Sequence, residues 1–176
     1  VLPSTVGQPS LTPDLSLARQ QYYAGRYNVC LDHARQLFEA GGPDREQALV
    51  LWSRCLLRLR RPAEAVAALV AELAGFDSPL ARLEGEAILA RAHASLNDFA
   101  MADAVIAQFD TPEAQEAPSS TQAELLYAEA LVAWMKGDLE KSEAALRRTE
   151  NTSPYIQGRR VMMESWIASK RERYDD

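Results

Sequence analysis

Apolar residues recur three and four positions apart along most of the chain, and no stretch alternates strictly, so the pattern predicts helices and no sheet. Leu49, Trp52, Cys55, Leu56 and Leu59 form one stripe at helical spacing. Leu83, Ala87, Ala90 and Ala94, with Ile88 and Leu89, form another. Helix starts are marked where proline follows a short polar or glycine residue: Thr12-Pro13, Gly42-Pro43-Asp44, Ser78-Pro79 and Ser153-Pro154. Thr121 and Glu124 have the spacing of a capping box, in which hydroxyl and carboxylate each satisfy an orphan backbone N–H. Interior breaks at Ala24-Gly25-Arg26, Arg61-Pro62, Leu96-Asn97-Asp98 and Lys136-Gly137-Asp138 split the longer segments in two. The predicted helices are 13–24, 27–40, 44–59, 62–74, 79–95, 98–109, 121–136, 138–150 and 154–172, and the polar stretch 111–120 reads as a long loop.

Superposed, the breaks are Ala24-Gly25-Arg26-Tyr27, Leu59-Arg60-Arg61-Pro62, Leu96-Asn97-Asp98-Phe99, Lys136-Gly137-Asp138-Leu139 and Arg171-Glu172-Arg173-Tyr174, recurring every 35 to 40 residues. Gly25-Arg26-Tyr27 is followed by Cys30, Ala34 and Leu37, Asn97-Asp98-Phe99 by Ala102, Ile106 and Phe109, and Gly137-Asp138-Leu139 by Ser142 and Leu146. In this pattern residues 13–176 resemble the tetratricopeptide repeat family, whose unit is a helix–turn–helix of roughly 34 residues. Ala18, Ser53, Ala90 and Ala130 stand where that family has a small residue for close helix contact. The second unit departs, with Arg60-Arg61-Pro62 in place of the turn, while Ala65, Val66 and Leu69 keep the packing pattern.

The resemblance implies an all-α fold: a right-handed superhelical array of antiparallel helix-turn-helix repeats, about four of them plus a final helix. Each hairpin leaves apolar surface that only its neighbour covers, so such arrays gain stability by stacking. Residues 1–12 are expected to be a flexible segment before a repeat domain over 13–176. The start at Val1 without a methionine, and a turn cut short at Glu172-Arg173-Tyr174-Asp175-Asp176, lead to the expectation of a fragment of a longer protein. Tyr155, Ile156, Met162, Met163, Trp166 and Ile167 crowd one side of the last helix, which would alternatively cap the stack.

Composition narrows the partners. With 19 Lys and Arg against 25 Asp and Glu among 176 residues, the net charge is −6, which argues against direct nucleic-acid binding. The longest apolar run, Ala63 to Phe76, is broken by Glu64 and Glu72 and is shorter than the roughly 20 residues a membrane span needs. The N-terminus has no secretory pattern, so the expected location is cytoplasmic, without membrane association.

No enzymatic constellation is visible, and no catalytic residue, cofactor or metal is expected. His33 and His93 lie about 60 residues apart; His93 reads as a hydrogen-bonded core histidine and His33 as a surface residue. Cys30 and Cys55 have no cysteine or histidine neighbour at ligand spacing and read as packing residues. Asn151-Thr152-Ser153 matches a glycosylation acceptor by letter and reads as an interhelix loop.

What remains is surface recognition. In the family the first helix of each hairpin lines the concave face, and Arg19, Arg54 and Arg91 occupy the same place in three successive units, flanked by Tyr22, Tyr23 and Arg58. Guanidinium groups hold carboxylates in a fork geometry, so this row would suit an acidic extended peptide or a helix carrying Asp and Glu. Farther along, Tyr127, Leu131, Trp134, Met135, Met162 and Trp166 would make the same surface apolar. The resemblance thus implies a non-catalytic scaffold that binds a protein or peptide partner in its groove, with self-association left open. The alternative is the regulatory or sensor portion of a larger bacterial signalling or transcription-regulating protein. A competing reading of the arginines is a solvated face with ion pairs local to each helix, and of the tryptophans, packing between hairpins.

Overall fold

The computed structural model describes residues 14–149 and 154–172, and among them every regular element is helical. The ten α-helices are α1 (Leu15–Tyr23), α2 (Tyr27–Ala40), α3 (Arg45–Arg58), α4 (Pro62–Glu72), α5 (Pro79–Ser95), α6 (Phe99–Ile106), α7 (Pro112–Glu116), α8 (Ser119–Lys136), α9 (Leu139–Arg147) and α10 (Pro154–Glu172). The segment 1–12, the Thr12-Pro13 start, Asn151-Thr152-Ser153 and the turn at Arg173-Tyr174 lie outside the described residues.

Local chemistry explains the boundaries. Asp14, Ser78, Asp98, Thr111 and Asp138 each accept a hydrogen bond from a backbone N–H of the first turn that follows, and Pro62, Pro79 and Pro112 occupy the first turn, where a missing N–H costs nothing. The expected helices 62–74 and 98–109 end earlier, because their last residues tighten into 3₁₀ turns at Leu73–Gly75 and Ala107–Phe109. The expected loop 111–120 contains α7, started by Thr111 and Pro112 and anchored by buried Ala114. The capping box does not form: α8 starts two residues ahead of Thr121, whose amide donates to the Pro118 carbonyl at 2.8 Å, so both Thr121 and Glu124 are interior helical residues.

Four of the interior breaks are one turn repeated. Gly25, Arg60, Asn97 and Gly137 all have positive φ, at 74°, 60°, 60° and 89°. In each case the next residue's amide donates to the carbonyl five positions back: Arg26 to Gln21, Arg61 to Leu56, Asp98 to His93 and Asp138 to Ala133, all at 2.9 Å. That is the six-to-one bond of a Schellman ending. The second break therefore does not replace the turn; Arg60 takes the left-handed conformation that glycine supplies more cheaply.

Helices joined by these turns pack on each other as α1–α2, α3–α4, α5–α6 and α8–α9, and each pair meets the next through α2–α3, α4–α5, α6–α8 and α9–α10. Helices α1, α3, α5, α8 and α10 also touch in that order, forming one layer. Buried apolar residues fall into clusters shared by successive helices. One joins Leu15, Cys30, Leu51 and Leu56; the next joins Leu49, Leu69 and Ile88; another, farther on, joins Leu146, Met163 and Ile167. A fully buried leucine such as Leu49, Leu56 or Leu69 is worth about 1.5–3 kcal/mol of transfer free energy. Ala18, Ser53, Ala90 and Ala130 are fully buried where the pattern calls for close helix approach. None of the helices among the described residues is long and apolar enough to cross a membrane.

Candidate functional site

The layer α1–α3–α5–α8 carries a cleft of about 270 Å³, with Arg19, Tyr23 and Gln47 toward solvent and Arg54, Glu84 and Glu124 toward the interior. Arg19 Nη2 donates to Gln47 Oε1 at 3.1 Å, and Tyr23 stands 66% exposed beside it. Tyr22 is buried, and its hydroxyl accepts from Arg58 Nε at 3.3 Å.

At the inner side three guanidinium groups converge on one carboxylate. Arg159 Nη1, from α10, donates to both oxygens of Glu124 at 2.9 Å, while Arg54 Nη2 and Arg91 Nη1 stand 4.0 and 3.9 Å from it. Arg54 also bonds Glu84 at 3.3 Å, and Thr121 Oγ1 donates to the other Glu84 oxygen at 3.4 Å. The Arg91 side chain is only 12% exposed, and the Nε atoms of Arg54 and Arg91 are buried with no hydrogen-bond partner among the described residues. Tyr127 lies buried under this network, with Arg159 Cζ 3.8 Å and Arg91 Cζ 5.5 Å from its ring centroid.

Among the described residues, Arg54, Arg91 and Arg159 meet Glu84 and Glu124 in this inner cluster. Burial would raise the Glu124 carboxyl, but Arg159, then Arg54 and Arg91, more than offset it and hold it below its ordinary value. Burial works to lower the Arg54 guanidinium, and Glu124 and Glu84 hold it above its ordinary value. Arg91 is the least compensated: burial, then the like charge of Arg159, push it down to about 10 against the pull of Glu124.

Arg19 faces solvent, whereas Arg54 and Arg91 are neither solvated nor paired within single helices. The row crosses between helices, and its glutamates and Arg159 escaped the sequence reading. A signal for them was present: Arg19, Arg54, Arg91, Glu124 and Arg159 follow one another at spacings of 35, 37, 33 and 35 residues, one per layer helix. A row of like charges would not have predicted a glutamate at the fourth place.

The apolar half of the expected binding surface is largely packing. Tyr127 is buried, and Leu131, Trp134 and Met135 are half-buried against the clusters around them. Met163 and Ile167 point inward, which splits the one-sided crowd expected on α10 and leaves Met162 and Trp166 more than a third exposed. The Trp134 and Trp166 rings lie 5.3 Å apart, and Lys170 Nζ donates to the Trp134 carbonyl at 2.9 Å. His93 is buried with Nδ1 3.2 Å from Asp98 Oδ2, whereas His33 is half-buried, its Nδ1 enclosed, and not a surface residue. A second cleft, of about 530 Å³, lies between α6, α7, α8 and α9, with Phe109, Leu125 and Leu126 beside Glu129 and Arg148. Among the described residues no group of His, Cys, Asp and Glu side chains is arranged to hold a metal ion.

Comparison with known proteins gives no match to a family model, a curated protein or a solved structure.

Proposed function

We propose that the chain is a non-catalytic interaction module of tetratricopeptide type, a right-handed superhelical array of hairpins, and that its α1–α3–α5–α8 cleft binds an acidic extended peptide. The observation that carries this reading is the row Arg19, Arg54, Arg91, Glu124 and Arg159, one residue from each layer helix, of which Arg19, Arg54 and Glu124 line an open cleft. The identical turns after α1, α3, α5 and α8 support the repeat. Arg54 supports the ligand's sign: it lines the cleft, and its Nε has no hydrogen-bond partner among the described residues. Tyr23 offers an exposed aromatic surface at the mouth of the cleft, the kind of side chain that supplies contact area at little entropic cost.

The distribution of charge matters more than its total here. The chain is acidic overall, so an acidic ligand gains nothing from long-range attraction and depends on Arg19 and Arg54 in the cleft lining. Binding is best measured by fluorescence anisotropy, with an Asp/Glu-rich peptide set against one of the same length in which every acid is an amide. Preference for the acidic peptide by at least tenfold, about 1.4 kcal/mol, is the expected result. Equal binding of the two peptides, or none, rules the reading out.

A further inference from the structure

Cys30 and Cys55 are 25 positions apart in the chain, and the α2–α3 packing brings their sulfurs to 2.8 Å. Both residues are 0% exposed, and they share a cluster with Leu15, Ala18 and Tyr22 of α1. Both are packing residues, as expected; they are not at ligand spacing in the sequence, and the packing of α2 on α3 brings them together in space. A disulfide needs the sulfurs at about 2.05 Å, so closure asks for a movement of about 0.8 Å, within the reach of two side-chain rotations.

We infer that Cys30 and Cys55 are a disulfide-forming pair which, on meeting a small-molecule disulfide, joins α2 to α3 covalently. The Cys30 thiolate attacks one sulfur of the donor and expels a thiolate, giving a mixed disulfide on Cys30. Cys55 then loses its proton and attacks the Cys30 sulfur, expelling the second donor thiolate. Two protein thiols are oxidised, one donor disulfide is reduced to two thiols, and both protons leave with them. The step is written from Cys30 because its sulfur accepts from the Cys55 thiol in the pair; attack in the reverse order gives the same product. Since neither sulfur is exposed, the donor reaches the pair while the nine-residue helix α1 is lifted or has not yet docked.

The test starts from reduced, unfolded full-length chain, refolded in a mixture of reduced and oxidised glutathione. The product is denatured, alkylated, and read by intact mass and by a non-reduced digest. The expected product is a monomer lighter by two hydrogens, without alkylation, in which one cross-linked peptide pair contains Cys30 and Cys55. Its melting temperature should lie roughly 7–14 °C above that of the same sample treated with dithiothreitol. Cys30→Ala and Cys55→Ala chains should lack that reductant-dependent difference. Two alkylated thiols, glutathione adducts alone, or cross-linked dimers alone would overturn the inference, and the mass readout on the unaltered chain does not depend on the variants folding.

Discussion

One nitrogen of Arg159 donates to both carboxylate oxygens of Glu124 at 2.9 Å, and both side chains are nearly withdrawn from solvent. The pair ties α10 to α8 across 35 residues of chain, and Arg54 and Arg91 bring α3 and α5 to the same carboxylate. Four helices thus share a single negative charge. Glu124→Gln removes it and leaves Arg91 and Arg159 without that carboxylate while Arg54 keeps Glu84, so the expected loss is about 3–5 kcal/mol of unfolding free energy, read by urea denaturation. A loss below 1 kcal/mol would mean that the network contributes little to holding the layer together.

Charge reversal at Arg54 and Arg91 is a poor probe of binding for the same reason. Arg54→Glu with Arg91→Glu places new carboxylates beside Glu84 and Glu124. The doubly substituted chain is expected to lose its cooperative melt, followed by circular dichroism; an unchanged melt would show these side chains to be solvated. Tyr23→Ala with Arg19→Ala, both at exposed positions, should leave the melt within about 0.5 kcal/mol while weakening acidic-peptide binding.

Acid should weaken the fold through Glu124. Its folded carboxyl lies below the unfolded value of 4.5, so the unfolded state takes up the proton first and stability falls as pH drops. The contribution is complete above the unfolded value and is lost as pH falls through the folded one. Glu86 acts in the opposite sense: burial raises its carboxyl, so it favours folding more when protonated, and that gain disappears as pH rises above its folded value. Unfolding titrations between pH 3 and 7 should show the gap between the unaltered chain and Glu124→Gln closing toward low pH. A gap independent of pH would remove Glu124 from the acid response.

The repeated turn makes a paired prediction. Gly137→Ala forces a side chain into the left-handed region and should cost about 1 kcal/mol, whereas Arg60→Gly should relieve the same conformation and gain about 0.5–1 kcal/mol. Thermal melts of the two variants shifting in the same direction would contradict the equivalence of these turns.

At the other end of the layer, Trp134→Ala should cost about 3 kcal/mol, the low end for removing a large aromatic, since the ring is half-buried against Trp166. Trp166→Ala, at a residue 37% exposed, should cost less. Equal losses in denaturant titrations would place the two rings in equivalent environments.

Most helix positions were legible in the sequence because caps, first-turn prolines and helical periodicity are local signals. The expected 27–40 and 79–95 coincide with α2 and α5. The failures were of two kinds. Thr121 and Glu124 have the letters of a capping box, but the geometry of Pro118 starts α8 earlier and turns Glu124 inward to the arginines. The Glu124 network and the Cys30–Cys55 contact depend on which helix faces which, information that spacing along one helix does not hold. Arg19, Arg54 and Arg91 were visible as a row because they share a residue type; Glu124 and Arg159 complete it only when position is followed instead.

Binding in the α1–α3–α5–α8 cleft is tested most directly by following backbone amide chemical shifts while an Asp/Glu-rich peptide is titrated into the chain. Saturable shifts concentrated at Arg19–Tyr23, Gln47–Arg54 and Ser120–Glu124, weakening as salt is added, are the expected result. Shifts centred on Met162 and Trp166, or none at any peptide concentration, would contradict it.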